Sequence, residues 1–150
     1  MSFKISVVVP SGLSAIPEQL ETAITTATRS STVLVTNEAI GYAPRKFGTL
    51  KRSIRGEVTS AFTGTILQDA TVAKYGKWVE NGTGIYGPLG TPIVPINAKF
   101  LAWQGPKGWC RAKSVRGMKP RPYMEPAYMK NQENVNQIFQ KNINEAIGGV

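Results

Sequence analysis

Residues Phe3 to Val9 alternate and end in the β-branched series Ile5-Ser6-Val7-Val8-Val9 before Pro10, which predicts a strand closed by a turn. Pro17 suits the first turn of a helix, with Glu18 and Glu21 well placed at its positive end. Leu20, Ile24, Ala27, Ser31 and Leu34 then step by four and three, so one stripe runs down a single face. The threonines and Val33-Leu34-Val35 oppose this, because β-branched residues lose rotamer freedom in helices. The pattern predicts a helix from about Ile16 to Ile40, ended by Tyr42-Ala43-Pro44.

The Gly48-Thr49 turn leads into a short amphipathic piece ending at Ile54. Residues Ile54 to Ser60 and Gly64 to Asp69 read as a hairpin around Phe62-Thr63-Gly64. Ala73 to Glu80 reads as a helical turn with Lys74 and Lys77 outside and Tyr75, Trp78 and Val79 packed inward. Asn81 to Pro95 is rich in Gly, Thr and Pro and reads as a loop, of a length that is usually functional or disordered until bound. Phe100-Leu101-Ala102-Trp103, a turn at Gly105 to Gly108, and Cys110 to Val115 make a second hairpin. Pro120 to Pro126 introduces a second long helix. Its apolar positions Ala127, Met129, Val135, Ile138, Phe139, Ile143 and Ile147 fall mostly on one face, and Gly148-Gly149 ends it. With no internal repeat and no linker between cores, residues 1–150 read as a single domain.

Charge adds a partner class. Eighteen Lys and Arg face nine Asp and Glu, a formal +9, which points to a polyanionic or acidic partner. From Asn81 to Met124 there are seven basic residues (Lys99, Lys107, Arg111, Lys113, Arg116, Lys119 and Arg121) and no acid. A second group, Arg45, Lys46, Lys51, Arg52 and Arg55, surrounds the Gly48-Thr49 turn. Trp103, within Leu-Ala-Trp, reads as a core residue. Trp109, between Gly108 and Cys110, is the better interface candidate. The opening residues lack a signal peptide's apolar core, and no run approaches about 18 apolar residues, so synthesis in a cytoplasm and no membrane span are expected.

Catalytic readings are thin. Without histidine, the commonest general base and metal ligand are missing, and with them most nucleophilic triads. The single Cys110 can form neither an intrachain disulfide nor a zinc cluster. The nine acids are spread thinly, and a glycosidase-like pair would have to assemble in space, for example from Asp69 and Glu80. Gly82-Thr83-Gly84 and Gly87-Pro88-Leu89-Gly90 lack the spacing of a phosphate loop. The residues therefore suggest no enzyme, no cofactor, no metal site and no small-molecule substrate.

Four segments, in order, carry a resemblance. Gly48-Thr49-Leu50-Lys51-Arg52-Ser53-Ile54 resembles a Thr-Gly-x-Leu-Arg-x-Ser-Ile element, and Tyr75-Gly76-Lys77-Trp78-Val79-Glu80-Asn81-Gly82-Thr83 is similar to Tyr-Ala-x-Tyr-Val-Glu-Phe-Gly-Thr. Ile93-Val94-Pro95 with Lys99-Phe100-Leu101-Ala102-Trp103 resembles Ile-x-Pro followed by Lys-x-Leu-Ala-Phe. Lys119-Pro120-Arg121-Pro122-Tyr123-Met124-Glu125-Pro126-Ala127 is similar to Arg-x-Gln-Pro-Phe-Leu-Arg-Pro-Ala. These elements resemble those of the tail-completion (neck, head–tail joining) proteins of long-tailed bacteriophages of the HK-type siphophage kind. The likeness runs from about Pro44 to the C-terminus. The chain departs from the pattern in its Gly48-Thr49 order, in Asn81, and in a longer Gly82 to Gly90 loop.

The resemblance implies an α+β domain: a small curved antiparallel sheet flanked by a long N-terminal helix and a C-terminal helix. It also implies a structural virion protein, forming a six- or twelve-fold homo-oligomeric ring around the DNA channel. That ring would meet a connector or stopper ring on one side and the tail terminator or tail tube on the other, with genome DNA in the lumen. The expected assembly-interface residues are Arg45, Lys46, Lys51, Arg52, Arg55, Trp109, Arg111, Lys113, Arg116, Lys119 and Arg121. The alternatives are a tail terminator or minor tail protein, or a free nucleic-acid-binding protein with steeply salt-dependent affinity.

Overall fold

The threonine-rich stretch forms a long helix in which most of the threonine hydroxyls are bonded back onto helix carbonyls. In α1 (Glu18–Tyr42) the hydroxyls of Thr22, Thr25, Thr26, Thr32 and Thr36 each donate to the carbonyl four residues earlier, at 2.6 to 2.9 Å. Pro17 supplies the first acceptor, taking the Leu20 and Glu21 amides at 2.9 and 3.0 Å. The helix ends where the Ala43 amide closes on the Ala39 carbonyl and Pro44 follows. The computed structural model describes residues 2–6, 17–45 and 48–148, so Val7 to Val9 of the expected strand, its closing Pro10 and Ile16 of the expected helix lie outside the described residues.

Those residues fall into two compact units: residues 1–74 with 123–150, and residues 75–122. In the first unit, β1 (Ser2–Ser6), β2 (Ile54–Ser60) and β3 (Thr63–Gln68) form an antiparallel sheet in the order β1-β3-β2. β3 alternates, burying Gly64, Ile66 and Gln68, whereas β2 buries only Ile54. α1 packs on this sheet and on α4 (Met124–Gly148). The buried line of α1 is Ile24, Ala27, Thr28, Ser31, Thr32, Val35 and Ala39. The expected stripe is thus correct at Ile24, Ala27 and Ser31, but Leu20 and Leu34 are only half-buried and Val35 takes the inward place. The inward residues are small because the sheet comes close: a Cβ on Gly64 would overlap the Thr32 hydroxyl, and one on Gly56 the Thr36 hydroxyl. Thr28 instead reaches across, donating to the Ala61 carbonyl at 2.8 Å.

The Gly48 to Ile54 segment is a joint. Gly48, at φ +74°, caps the one-turn helix α2 (Thr49–Arg52), which buries Leu50. Ser53 donates to the Leu50 carbonyl at 2.7 Å and accepts from the buried Gln68 amide at 3.2 Å. The same amide group donates to the carbonyls of Asp69 and Ala73 at 2.7 and 2.9 Å, so this buried polar side chain is satisfied.

In α4 the buried residues are Met124, Ala127 and Asn131, and the Asn131 amide is bonded to the Ala127 carbonyl at 2.9 Å. Val135, Ile138, Phe139 and Ile143 are half-buried, but Met129 and Ile147, expected on the apolar face, are exposed. Their spacing places them off the line that faces α1. Lys130 lies 3.4 Å from both Glu38 oxygens. A hydrogen bond to Tyr42 and then the Glu38 charge raise its pKa above the ordinary 10.5.

The second unit holds α3 (Gly76–Asn81), a 3-10 turn at Gly84–Tyr86, and a hairpin of β4 (Leu101–Gly105) and β5 (Gly108–Ala112). The expected return strand ends at Ala112; Val115 pairs instead with Ile93. Tyr75 and Trp78 are exposed rather than packed inward, because the inward line of α3 is Gly76, Val79 and Glu80. Trp103 is 42 % exposed, not core, while Leu101 and Cys110 on the same face of the hairpin are half-buried. The chain as a whole has an α+β fold with a long N-terminal and a C-terminal helix. Among the described residues, no helix is long and apolar enough to cross a membrane.

Candidate assembly surface

The glycine-rich loop is built by close backbone crossing. The Thr83 amide donates to the Met118 carbonyl, and the Met118 amide to the Thr83 hydroxyl, both at 2.9 Å; the Ile85 amide donates to the Arg116 carbonyl at 2.8 Å. Gly84 and Gly117 sit at φ +64° and +91°, and a Cβ on either would overlap the backbone of the other strand of the crossing. Gly82-Thr83-Gly84 therefore serves to pin residues 116–118. The Ile93–Val115 bridge, with amide–carbonyl distances of 2.9 and 3.0 Å, continues the same pairing toward the hairpin.

This scaffold presents an unusual surface. No apolar side chain of residues 75–122 is buried, while ten of the sixteen exposed large apolar side chains among the described residues belong to it. Trp109 is 78 % exposed, Leu89 87 % and Ile96 95 %. Large apolar side chains left this exposed are a feature of interaction sites where they adjoin one another, as Trp78, Leu89, Ile93, Val94 and Ile96 do. An apolar groove of about 520 Å³ runs along Trp78, Leu89, Pro92, Ile93, Val94 and Ile96. The charge is equally one-sided. Residues 75–122 carry eight Lys and Arg against Glu80 alone, a formal +7, and Glu80 is buried.

The expected interface residues divide between the units. Arg45 and Arg52 are exposed and Lys51 is half-buried, while Lys46 lies outside the described residues. Arg55 is 3.5 Å from the Asp69 carboxylate, so part of its charge is already matched. Asp69 also accepts from the Thr71 hydroxyl and amide at 2.6 and 2.8 Å, and these bonds, led by the hydroxyl, hold its pKa below 3.8. Its carboxylate is committed to those structural partners.

In the second unit, Trp109, Arg111, Lys113, Arg116, Lys119 and Arg121 are all exposed. Trp109 and Arg111, two apart on β5, share one face of the hairpin. Arg111 and Lys113 line a cavity of about 440 Å³ with Phe100 and Ala112. Lys119 lies over the Tyr86 ring, 5.7 Å from its centroid, and the Arg121 amide donates to the Val79 carbonyl at 2.7 Å. The apolar groove was not foreseen from the sequence. Its signal was there: Leu89 and Ile93-Val94-Pro95-Ile96 are bulky residues set among Gly and Pro, where no regular element can bury them. No family model matches the chain, and no curated protein and no solved structure matches it.

Proposed function

We propose that this chain is a structural protein of the phage neck, a ring component that joins the DNA-filled head connector to the tail. The observation that carries an assembly role is the surface of residues 75–122, which buries no apolar side chain and displays both large apolar groups and only positive exposed charge. A two-stranded hairpin is marginal alone in water, and the face formed by Ala102, Gln104, Trp109 and Arg111 is exposed, so a neighbour that covers it adds stability as it binds. The four motif segments, in their order along the chain, supply the neck identity. In this reading Tyr75 to Thr83 and Lys119 to Ala127 are structural joints, and the chain has no catalytic role. Copies meet through different patches on adjacent subunits, as a closed ring requires. The protein would reside in the virion, after synthesis in the host cytoplasm.

The test is to purify the protein and add it to separated heads and tails, following particle joining by electron microscopy and its own mass by light scattering. Joined particles containing an oligomer of the chain are expected. A protein that stays monomeric and associates with neither heads nor tails would refute the proposal, and one bound only at the tail end would assign it to tail termination.

A further inference from the structure

We infer that one face of the β4–β5 hairpin is a platform for a single-stranded nucleic acid, which lays its phosphates on Arg111 and Lys113 and stacks bases on Trp109 and Phe100. The inference goes beyond the neck reading and does not need it. Pairing of Gln104 with Trp109 and of Ala102 with Arg111 puts these four side chains on one face, and all four are exposed. Phe100 and Lys113 lie just beyond the paired residues, are exposed as well, and line a cavity of about 440 Å³ with Arg111. Trp109 is 78 % exposed, an indole face with nothing over most of it. Unlike the aliphatic groove, this face carries its own charge. All of that charge is positive, and residues 81–122 contain no Asp or Glu.

The arrangement selects the occupant. Arg111 and Lys113 are two residues apart, about 6.6 Å along an extended chain, close to the repeat of phosphates on an extended strand. Phe100 lies four residues before Gln104, the partner of Trp109, so the two rings stand about 13 Å apart along the hairpin with Arg111 between them. A cationic track with rings at intervals suits a sequence-independent single strand, because every nucleotide brings a charge and every base a π-face. A duplex keeps its bases stacked on one another and leaves the rings unused. A protein hot spot gathers its aromatic anchors at a desolvated centre with charge at the rim; here a guanidinium holds the centre and the rings hold the ends. A second copy has exposed carboxylates to offer. Glu18 and Glu21 flank Leu20 in the first turn of α1, while Glu57 and Glu133 lie on different elements. None of these makes a repeat of negative charge at strand spacing, and two chains of +9 each repel.

All three tryptophans, Trp78, Trp103 and Trp109, lie in residues 75–122, and Trp109 alone lies on this face. The full chain is titrated at low salt with a single-stranded oligothymidylate while tryptophan emission is followed, and a DNA duplex and polyglutamate of equal charge are added as competitors. The oligothymidylate should quench part of the emission saturably, and neither competitor should displace it at equal charge. Trp109→Leu should weaken binding roughly fivefold or more while Trp109→Phe keeps most of it, a contrast that follows from ring stacking and not from apolar contact. Changing Arg111 and Lys113 together to alanine should lower the slope of log affinity against log salt by about 1.4, two single-strand increments. Folding of each variant is checked by circular dichroism. No saturable quench up to millimolar nucleotide would overturn the inference. So would tighter binding of the duplex or of polyglutamate, unchanged affinity in Trp109→Leu, or self-association that Arg111→Glu abolishes. A chain that joins heads to tails but ignores the strand removes this inference and leaves the neck reading intact. A chain that binds the strand but never enters particles does the reverse.

Discussion

Replacing Gly64 by alanine probes the close approach of α1 to the sheet. The new Cβ would overlap the Thr32 hydroxyl, and would stand 3.2 Å from the Thr32 Cβ and 3.5 Å from the Thr28 γ-methyl. Thr32 cannot simply turn away without giving up its 2.7 Å bond to the Thr28 carbonyl, and Thr28 itself holds the Ala61 carbonyl at 2.8 Å. Overpacking of this kind costs about 1–3 kcal/mol, and a lost hydrogen bond about 1 kcal/mol more. Alanine restricts the unfolded chain and returns about 0.4–1 kcal/mol. The net loss should be about 2–3 kcal/mol. With a urea slope of about 2 kcal/mol/M the midpoint falls by about 1 M or more.

The assay is urea unfolding followed by far-ultraviolet circular dichroism, which reports mainly the two long helices of this unit. Adding Thr32→Ala removes the overlapping hydroxyl and γ-methyl. The double variant should therefore recover part of the loss, giving a coupling of about 1–2 kcal/mol in a double-mutant cycle. A Gly64→Ala protein within about 0.5 kcal/mol of the parent, or a cycle with no coupling, would show that the helix does not sit against this glycine, since unrelated surface changes stay in that range.

Gly117→Ala forces an alanine to φ +91° against the Thr83 carbonyl, and should shift tryptophan emission while leaving most helical dichroism; unchanged emission would count against the crossing. Asp69 has a folded pKa below 3.8, so its contribution is fully present above that value and is lost as pH falls through the lower folded value. Asp69→Asn should flatten that part of the acid limb of the stability profile, and an unchanged limb would refute the assignment. Reversing the charges of Lys99 to Arg121 should abolish head–tail joining with the circular dichroism retained, and normal joining by that variant would contradict the assembly role of the segment.

What the sequence disclosed followed from how local each signal was. The 25-residue helices α1 and α4 announced themselves by periodicity, and the β2–β3 hairpin by alternation around its turn. The identity of the buried residues was less legible. Leu34 yielded to Val35, and the inward face of α1 filled with Thr and Ser, because close approach by Gly56 and Gly64 rewards small side chains over greasy ones. Hydrophobicity misled at Tyr75, Trp78 and Trp103, which are exposed on a unit that buries no apolar side chain. Charge was legible as a count and as two segments, but not as a surface. Only the fold shows that Glu80 is buried, that Arg55 is matched by Asp69, and that Leu89 and Ile96 line one apolar groove.

The most direct measurement is electron microscopy of particles assembled with and without this chain. The account predicts that without it filled heads and complete tails accumulate apart, and that adding the purified protein joins them, with its density at the junction. Heads and tails joined normally in its absence would contradict it.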